Sequence, residues 1–312
     1  MNESIQSVNG RRLPYARGPI KLAPISRHVH SGPGEISAAE ELGFYSYADN
    51  NLMTFAMNHE FAKAAEANDS VRSVIVGIDL AKWEPERSDL EVIVVDDAKL
   101  RFYQLHNSLR SELRFGKSTI SSRSEIHPSA VISDHGVEIG DDCVIEPGVV
   151  IGSGTTLGNR VIVRAGTCLG SDALDIRRTH NSGMQMTDHL GGVIVADDVE
   201  IGHGSVVDRA IFRQSDTVIG ESTKVGCLSN ISHGVVLGAE NIIAGGVLVC
   251  GSTKIGNNNW IGPGAIISNL LSIGDDNFIA IGSHVLRSFG SGRRVVGNKV
   301  LPARSVADSI PT

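Results

Sequence analysis

The chain has 312 residues, of which 41% are hydrophobic, 4% are aromatic and 35 are glycine. This length can bury a large core and suggests about two domains. A formal net charge of -7 argues against nucleic acid as the main partner, because no broad basic face follows from the residue counts.

Targeting and redox signals are absent from the sequence pattern. No run approaches the roughly 18 apolar residues of a membrane-spanning helix, and the first residues lack the apolar core of a secretory signal. The four cysteines lack the spacing of a zinc ribbon or a disulfide framework. We therefore expect a cytoplasmic protein with reduced thiols, no transmembrane segment and no bound metal.

The N-terminal third divides into three predicted parts. Residues 1–36 are rich in Gly, Pro, Arg and His without periodicity, which predicts a peripheral arm. Residues 37–115 are predicted to form a small α/β domain, with helices in "HEFAKAAEAND" and "DAKLRFYQLHNSLRSEL" and buried strands in "VRSVIVG" and "LEVIVVDD". Asp97 is the expected cap of the second helix, and residues 116–125 are expected to be a linker.

Aliphatic residues recur at every sixth position in the remainder of the chain. Twelve of them follow one another without a break: Ile219, Val225, Ile231, Leu237, Ile243, Val249, Ile255, Ile261, Ile267, Ile273, Ile279 and Val285. A strand would repeat every two residues and a helix every 3.6, so this period indicates a hexapeptide solenoid. Gly, Asn, Asp and Ser follow most of these positions and suit corners. Each hexad is predicted to be one short parallel strand and a corner, and three hexads make one triangular coil.

The same period sets the predicted bounds of the prism at 126–290. An earlier block in a shifted register contains Ile139, Ile145, Ile151, Leu157, Val163 and Leu169. Between the blocks, residues 171–192 break the repeat and are predicted to form a loop that leaves the prism, and the later block fails at Arg213. Residues 291–312 are predicted to be a C-terminal tail. The fold class is therefore mainly β.

His233 is the titratable residue that stands out in the repeat. It follows the inward-pointing Ile231 by two residues, so it lies at a corner and faces outwards, and the same corner one coil later carries Gly251. Adjacent parallel strands lie roughly 4.8 Å apart, which places the Gly251 N–H beside the imidazole. A base next to an uncovered backbone N–H suits acyl transfer to an amine, because the base removes the amine proton and the N–H stabilises the oxyanion. The spacing alone also fits an ordinary solvated corner histidine.

The segment that begins "GGVIVADDVEIGHGSVVDRA" and continues through "ISHGVVLG" and "AGGVLVCGSTKIG" resembles the UDP-3-O-(3-hydroxyacyl)glucosamine N-acyltransferases of lipid A (lipopolysaccharide) biosynthesis. The motifs "IHPSAVI" and "LGSDAL" extend the resemblance. It implies a left-handed parallel β-helix with a small N-terminal α/β domain, assembled as a homotrimer. It further implies His233 as catalytic base and Gly251 as the oxyanion N–H donor. The reaction implied moves an acyl group from an acyl carrier protein or coenzyme A thioester to the amine of a UDP-amino sugar, without a bound cofactor.

The small domain carries a second resemblance to that family. Its "LMTFAMNHEF" is similar to a segment in which two rings sandwich uracil and an asparagine lies between them. The resemblance implies Phe55 and Phe61 as the rings and Asn58 as the amide. Phe61 replaces the family's usual tyrosine and lacks its hydroxyl. Both rings also fit a role in the core of the small domain.

Two arginine pairs are candidates for holding the donor. Arg177 and Arg178 in the loop, and Arg293 and Arg294 after the prism, could contact an acidic carrier protein or the phosphates of coenzyme A, or be solvated surface charge.

Several positions depart from the family pattern. Gly234 stands where the family has asparagine, Leu270 stands where a second histidine is expected, and residues 291–312 are not expected to form the C-terminal helices that the family commonly adds after the prism. These departures leave a relative acting on another UDP-amino sugar equally open.

Two other functions remain open from the sequence. A non-catalytic β-helical scaffold would explain the repeat but not the ring pair of the small domain. A zinc carbonic anhydrase of the same prism type would need two histidines five residues apart, whereas "IGHGSVVDRA" offers His203 with Asp208 at the fifth place. His180 and His189 in the loop are the additional candidate ligands.

Overall fold

The structure is a computed structural model that describes residues 41–43, 51–179, 183–213 and 215–302. The predicted arm at 1–36 and the candidate ligand His180 lie outside the described residues. A small α/β unit is followed by a long prism of parallel strands. No helix within the described ranges is both long and apolar enough to cross a membrane.

The small unit is a four-stranded parallel sheet with two helices. Its strands, β1 (Glu41–Leu42), β2 (Leu52–Ala56), β3 (Val71–Gly77) and β4 (Glu91–Val95), pair in chain order, and its helices are α1 (His59–Glu66) and α2 (Ala98–Ser108). Short 3-10 turns span Ile78–Leu80 and Leu109–Glu112. Asp97 caps α2 by accepting a hydrogen bond from the Leu100 N–H at 2.9 Å, as the sequence predicts.

The later strands are mostly two or three residues long. In chain order they are β5 (Thr119–Ile120), β6 (Glu125–Ile126), β7 (Val131–Ile132), β8 (Val137–Ile139), β9 (Val144–Ile145), β10 (Val150–Ile151), β11 (Thr155–Leu157), β12 (Ile162–Val163), β13 (Cys168–Ser171), β14 (Ile176–Thr179), β15 (Gly183–Met186), β16 (Val193–Val195), β17 (Glu200–Ile201), β18 (Val206–Asp208), β19 (Thr217–Ile219), β20 (Lys224–Val225), β21 (Asn230–Ile231), β22 (Val236–Leu237), β23 (Ile242–Ile243), β24 (Leu248–Val249), β25 (Lys254–Ile255), β26 (Trp260–Ile261), β27 (Ile266–Ile267), β28 (Ser272–Ile273), β29 (Phe278–Ile279), β30 (His284–Val285), β31 (Arg293–Val296) and β32 (Lys299–Pro302).

Three parallel sheets form the faces of the prism. Face 1 has the order β5-β8-β11-β16-β19-β22-β25-β28, face 2 has β6-β9-β12-β17-β20-β23-β26-β29-β31, and face 3 has β7-β10-β13-β18-β21-β24-β27-β30. The chain visits the three faces in turn, so each coil contributes one strand to each face. Strand β32 pairs antiparallel with β31, and β14 and β15 form a separate antiparallel hairpin. The predicted left-handed parallel β-helix with a small N-terminal α/β unit is confirmed.

The hexad aliphatics fill the interior of the prism. On face 3, Val207, Ile231, Val249 and Ile267 pair in register on successive strands, and all four are buried. Burying one such side chain contributes about 1.5–3 kcal/mol relative to leaving it exposed. The period of six is therefore a correct signal for the core, because every sixth residue points into the interior from the next of the three faces, and the same column recurs once per coil.

The repeat is broken by two insertions. In the regular coils of face 3, Ile231 pairs with Val249 and Val249 pairs with Ile267, at a constant step along the chain. Leu169 pairs instead with Val207, and Val207 pairs with Ile231, and both of these steps are longer than the regular one. The second, shorter insertion lies between β18 and β19, and it explains why the repeat fails at Arg213, because its described residues do not form a prism strand.

Both insertions pack on the small unit. Leu190 from the first insertion and Ile211 and Phe212 from the second lie in one buried cluster with residues of α2, including Phe102 and Tyr103. The 171–192 segment lies between β13 and β16 and packs on α2 through Leu190. This cluster holds the prism, the insertions and the small unit together.

The prism extends past its predicted bounds at both ends. Strand β5 and the first residue of β6 lie within the predicted linker at 116–125, and β31 and β32 lie within the predicted tail at 291–312. Strand β5 is a two-residue strand at the edge of face 1, whereas β31 and β32 are four-residue strands outside the six-residue step, so the predicted bounds did not include them.

Candidate active site

His233 lies at the corner between face 3 and face 1, two residues after β21. Its ring covers Gly251, because a Cβ atom built at position 251 would lie 2.5 Å from Nε2 and 2.9 Å from Nδ1 of His233. The Ser252 N–H donates to the His233 carbonyl oxygen at 2.8 Å and keeps the two corners in register. Any residue larger than glycine at position 251 would displace the imidazole.

The backbone of Gly251 offers a free donor at this corner. Its carbonyl oxygen accepts a hydrogen bond from the Leu270 N–H at 3.0 Å, whereas its own N–H donates to no other group in the described part of the chain. The side chain of Leu270 is exposed. The unused N–H beside an imidazole is the arrangement in which a base and an oxyanion donor act on one bond.

Gly234 has a conformational reason to differ from the family. Its φ is +66°, and its N–H donates to Thr217 Oγ1 at 2.8 Å. Glycine and asparagine are the residues that adopt this left-handed region at least cost. The exchange of asparagine for Gly234 therefore keeps the backbone turn and removes only the amide side chain.

A second histidine packs against His233. The ring centroid of His189 lies 5.7 Å from that of His233, with an interplanar angle of 77°. His189 is completely buried, and neither of its ring nitrogens forms a well-aligned hydrogen bond within the described residues. The sequence offered His189 only as a zinc ligand, so this contact was not expected.

A buried ion pair lies close to the two histidines. Asp175 is 8% exposed and accepts hydrogen bonds from Thr187 Oγ1 at 3.2 Å and from Arg177 Nη2 at 2.8 Å. Arg177 Nη2 also contacts the Tyr103 hydroxyl at 3.0 Å, and its guanidinium lies 4.5 Å from the centroid of that ring. Asp175 and Arg177 are two residues apart in extended chain, so their side chains point to the same side of the backbone. This spacing is the sequence feature from which their pairing could have been predicted.

Helix α2 fixes the inserted loop in position. His106 Nε2 lies 2.9 Å from the Asp188 carbonyl oxygen, and Arg110 Nη1 lies 3.1 Å from the Asp188 carboxylate. Asn107 donates to the Met186 carbonyl oxygen at 2.8 Å and accepts from the Asp188 N–H at 3.0 Å. These contacts bring the loop from the small unit to the corner at His233.

Burial keeps the histidines of this region neutral. It lowers the pKa of His233 below the ordinary value of 6.5, although Asp175 opposes the shift, and Arg177 adds to it. Burial also lowers the pKa of His189 to about 4 and the pKa of His106 below its ordinary value. An unprotonated His233 at neutral pH is available to accept a proton.

The three residues of the expected uridine site lie in the small unit. Phe55 is half-buried, with its ring centroid 4.9 Å from that of Phe102 and 5.9 Å from that of Tyr103. Phe61 is 39% exposed in the first turn of α1. The side chain of Asn58 accepts a hydrogen bond from the Phe61 N–H at 3.0 Å and so caps that helix. Sequence reasoning did not foresee this capping role.

The candidate donor-binding arginines lie in different places. Arg177 belongs to the buried ion pair, and Arg178 is exposed on the hairpin. Arg293 is exposed on face 2, and the Arg294 guanidinium lies 5.5 Å from the ring centroid of Phe278. Arg293 lies on β31, and β23 is the face 2 strand of the coil that contains His233. These two strands are three strand spacings apart, which is about 14 Å along the prism. Of these four arginines, Arg177 is the one whose charge acts on the pKa of His233.

The residues considered for zinc are dispersed. His203 is exposed, while Asp208 is buried, accepts a hydrogen bond from Ser171 Oγ at 3.0 Å and has its pKa raised by burial. No group of three His, Cys, Asp or Glu side chains suited to a metal ion is found among the described residues.

Comparison with known proteins gives matches to parts of the chain. Residues 136–171 match the family described as bacterial transferase hexapeptide (six repeats). The UDP-3-O-acylglucosamine N-acyltransferase of Methylorubrum extorquens is 47% identical over 66 residues, which is 21% of this chain and 18% of that protein. The enzyme of the same name from Wolinella succinogenes is 36% identical over 115 residues, or 37% of this chain and 36% of that protein. These matches span less than two thirds of each relative's length.

Solved structures give weaker similarities. The UDP-N-acetylglucosamine acyltransferase from Campylobacter jejuni has a TM-score of 0.46 and 23% identity, and the similarity covers 56% of this chain and 73% of that one. The Arabidopsis UDP-N-acetylglucosamine acyltransferase has a TM-score of 0.42 and 19% identity, covering 58% and 72%. At these TM-scores neither similarity bears on the activity. By these matches, part of the chain is similar to bacterial hexapeptide transferases and to the UDP-3-O-acylglucosamine N-acyltransferases.

Proposed function

We propose that this protein transfers an acyl group from a thioester to the amine of a UDP-amino sugar, with His233 as general base. The observation that carries the proposal is the position of the His233 imidazole over Gly251, whose backbone N–H has no other acceptor in the described part of the chain.

The chemistry needs one base and one oxyanion donor. His233 accepts a proton from the amine as the nitrogen attacks the thioester carbonyl carbon. The carbonyl oxygen gains negative charge, and the Gly251 N–H stabilises it. Collapse of the tetrahedral intermediate breaks the C–S bond, and the proton held by His233 passes to the departing sulfur. The products are an amide and a thiol, and the base returns to its neutral form.

The lowered pKa of His233 supports the role of base. The reactive form is the neutral imidazole, so the rate falls as the pH drops through the pKa of His233. Because burial holds that pKa below 6.5, the acid limb of the rate profile lies below pH 6.5. The enzyme then retains a full complement of base at neutral pH.

The acceptor follows from the relatives and from the small unit. The curated relatives are named for UDP-3-O-acylglucosamine, which supports a nucleotide-linked amino sugar here. In this proposal Phe55 and Phe61 contact the uracil and Asn58 contributes a polar group at the same place. Aromatic stacking on a base contributes about 1–3 kcal/mol per base.

The donor is an acyl carrier protein or coenzyme A thioester, with Arg178, Arg293 and Arg294 as candidate contacts for its phosphate or acidic groups. We further propose a cytoplasmic homotrimer with three equal sites in the clefts between prisms, since closed threefold symmetry repeats each contact three times.

Removal of the base tests the proposal. His233→Ala should lower kcat by about 10²–10⁴ while UDP-sugar binding stays normal. His284→Ala is the matched control, because His284 is an exposed histidine on the same face of the prism. Activity of His233→Ala near that of the control would contradict the assignment. Absence of any thermal shift with millimolar UDP or UDP-sugar would favour a scaffold instead.

A further inference from the structure

His189 stands out because it is a buried polar side chain that the proposed reaction does not use. It is 0% exposed, and neither Nδ1 nor Nε2 forms a well-aligned hydrogen bond within the described residues, although a weaker interaction with the Thr187 backbone raises its pKa slightly against the larger effect of burial. Buried polar side chains with so little hydrogen bonding are uncommon in proteins and call for an explanation. A leucine would fill this place at less cost if packing were its only purpose.

The position of His189 supplies that explanation. Its ring meets the ring of His233 edge to face, at a centroid distance of 5.7 Å. The His233 ring also lies against the backbone of Gly251. The imidazole of His233 thus contacts both a glycine of the next coil and a histidine of the inserted loop.

The loop that carries His189 is itself well supported. The Asp188 N–H donates to Asn107 Oδ1 on α2 at 3.0 Å, and the Leu190 N–H donates to the Ile211 carbonyl oxygen at 2.8 Å. Leu190 is buried in the cluster shared with α2. The loop is therefore tied to fixed elements on both sides of His189, so its ring has a defined place.

We propose that His189 is a positioning residue, which holds the imidazole of His233 over Gly251 in the orientation that receives the amine proton. This inference rests on the proposed role of His233 as base. His189 makes no bond to the substrate in this scheme and acts through the placement and burial of His233.

The charges around the pair agree with this role. The charged groups that face the two rings are Asp172, Asp175 and Arg177 from the inserted loop. With its pKa lowered to about 4 by burial, His189 stays neutral at physiological pH and does not compete for the proton. Its bulk also excludes water from one side of His233, which contributes to the burial that lowers the pKa of that residue.

Two substitutions separate bulk from polarity. In His189→Ala the cavity admits water and frees the His233 ring, so the pKa of His233 should rise towards its ordinary value and kcat should fall about tenfold or more. In His189→Phe the aromatic edge contact and the burial remain, so the pKa of His233 should stay low and most of kcat should be retained. If His189→Ala does not fold, His189→Leu fills the volume without the flat ring and tests the same point.

The direct measurement is an NMR titration of the ring Cε1–H of His233 in the full-length protein, assigned by its loss in His233→Ala. The result expected is an upward shift of the His233 pKa in His189→Ala and none in His189→Phe, matched by the acid limbs of the kcat profiles. An unchanged pKa and unchanged kcat in a folded His189→Ala would overturn the proposal. So would a His189→Phe variant that is as inactive as His189→Ala while His233 keeps its low pKa, because a nitrogen of His189 would then contact the substrate directly.

The two proposals fail in different ways. If His233→Ala kept full activity, His233 would not be the base, yet the titration would still report whether His189 holds the ring. If His233→Ala were inactive and the titration showed no coupling, only the positioning role would be lost.

Discussion

The contact between Gly251 and His233 makes a one-atom substitution informative. Gly251→Ala keeps the backbone N–H and adds only a Cβ atom, which would stand 2.5 Å from Nε2 of His233. Real contacts of a Cβ atom are at least 3.0 Å. The imidazole must therefore move by about half an ångström to an ångström, on the scale at which misplacement of a reacting group costs about 10²-fold in rate. We expect kcat to fall by about that factor.

The expected pattern separates displacement of the base from general damage. The KM for the UDP-sugar should change little, because the added atom lies at the corner and not in the small unit. Gly290→Ala is the matched control, since a Cβ at position 290 meets no atom within 4 Å. The double variant Gly251→Ala/His233→Ala should lose no more activity than His233→Ala alone, because both changes act on the same base.

Steady-state kinetics with purified variants, together with thermal unfolding to establish that each is folded, supply the measurement. A Gly251→Ala variant with the kcat of the control would refute the reasoning, because the base could not then depend on the space above glycine. Additive losses in the double variant would show that the substitution acts elsewhere.

Three further predictions concern the acceptor, the donor and acid stability. Phe55→Ala should raise the KM for the nucleotide sugar about tenfold with a smaller effect on kcat, because stacking on a remote base stabilises the bound substrate and the transition state equally. A loss of folding stability with unchanged KM would show that Phe55 serves only in the aromatic cluster. If Arg293 and Arg294 hold the donor, the KM for the donor should rise with salt concentration in the wild type, and this dependence should be lost in Arg293→Ala/Arg294→Ala. A donor KM that neither salt nor the double substitution changes would refute the contact. His189 has a folded-state pKa of about 4 against an ordinary 6.5, so the unfolded chain binds the proton first as the pH falls. The free energy of unfolding should therefore drop by about 2 kcal/mol between pH 7.5 and 5 on account of His189. Urea unfolding of His189→Phe should show a correspondingly smaller drop, and an equal drop would contradict the low pKa of His189.

The sequence determined the prism, because each short strand of a stacked coil requires one inward-pointing aliphatic residue at a fixed spacing along the chain. An inward-pointing residue returns to the same column at a constant step, so Ile231, Val249 and Ile267 could be placed before any coordinates. The pairing of His233 with Gly251 follows from the same constant step between coils. Both statements depend only on local periodicity and strand spacing.

The tertiary structure decided what surrounds that corner. His189 contacts His233 from an insertion that has no repeat, and Leu190 of that insertion packs with Phe212 and α2 in one buried cluster. The burial that lowers the pKa of His233 arises there as well. Periodicity predicts positions within a regular element, whereas contacts between an irregular loop and a separate domain depend on long-range packing, which no local pattern in the sequence encodes.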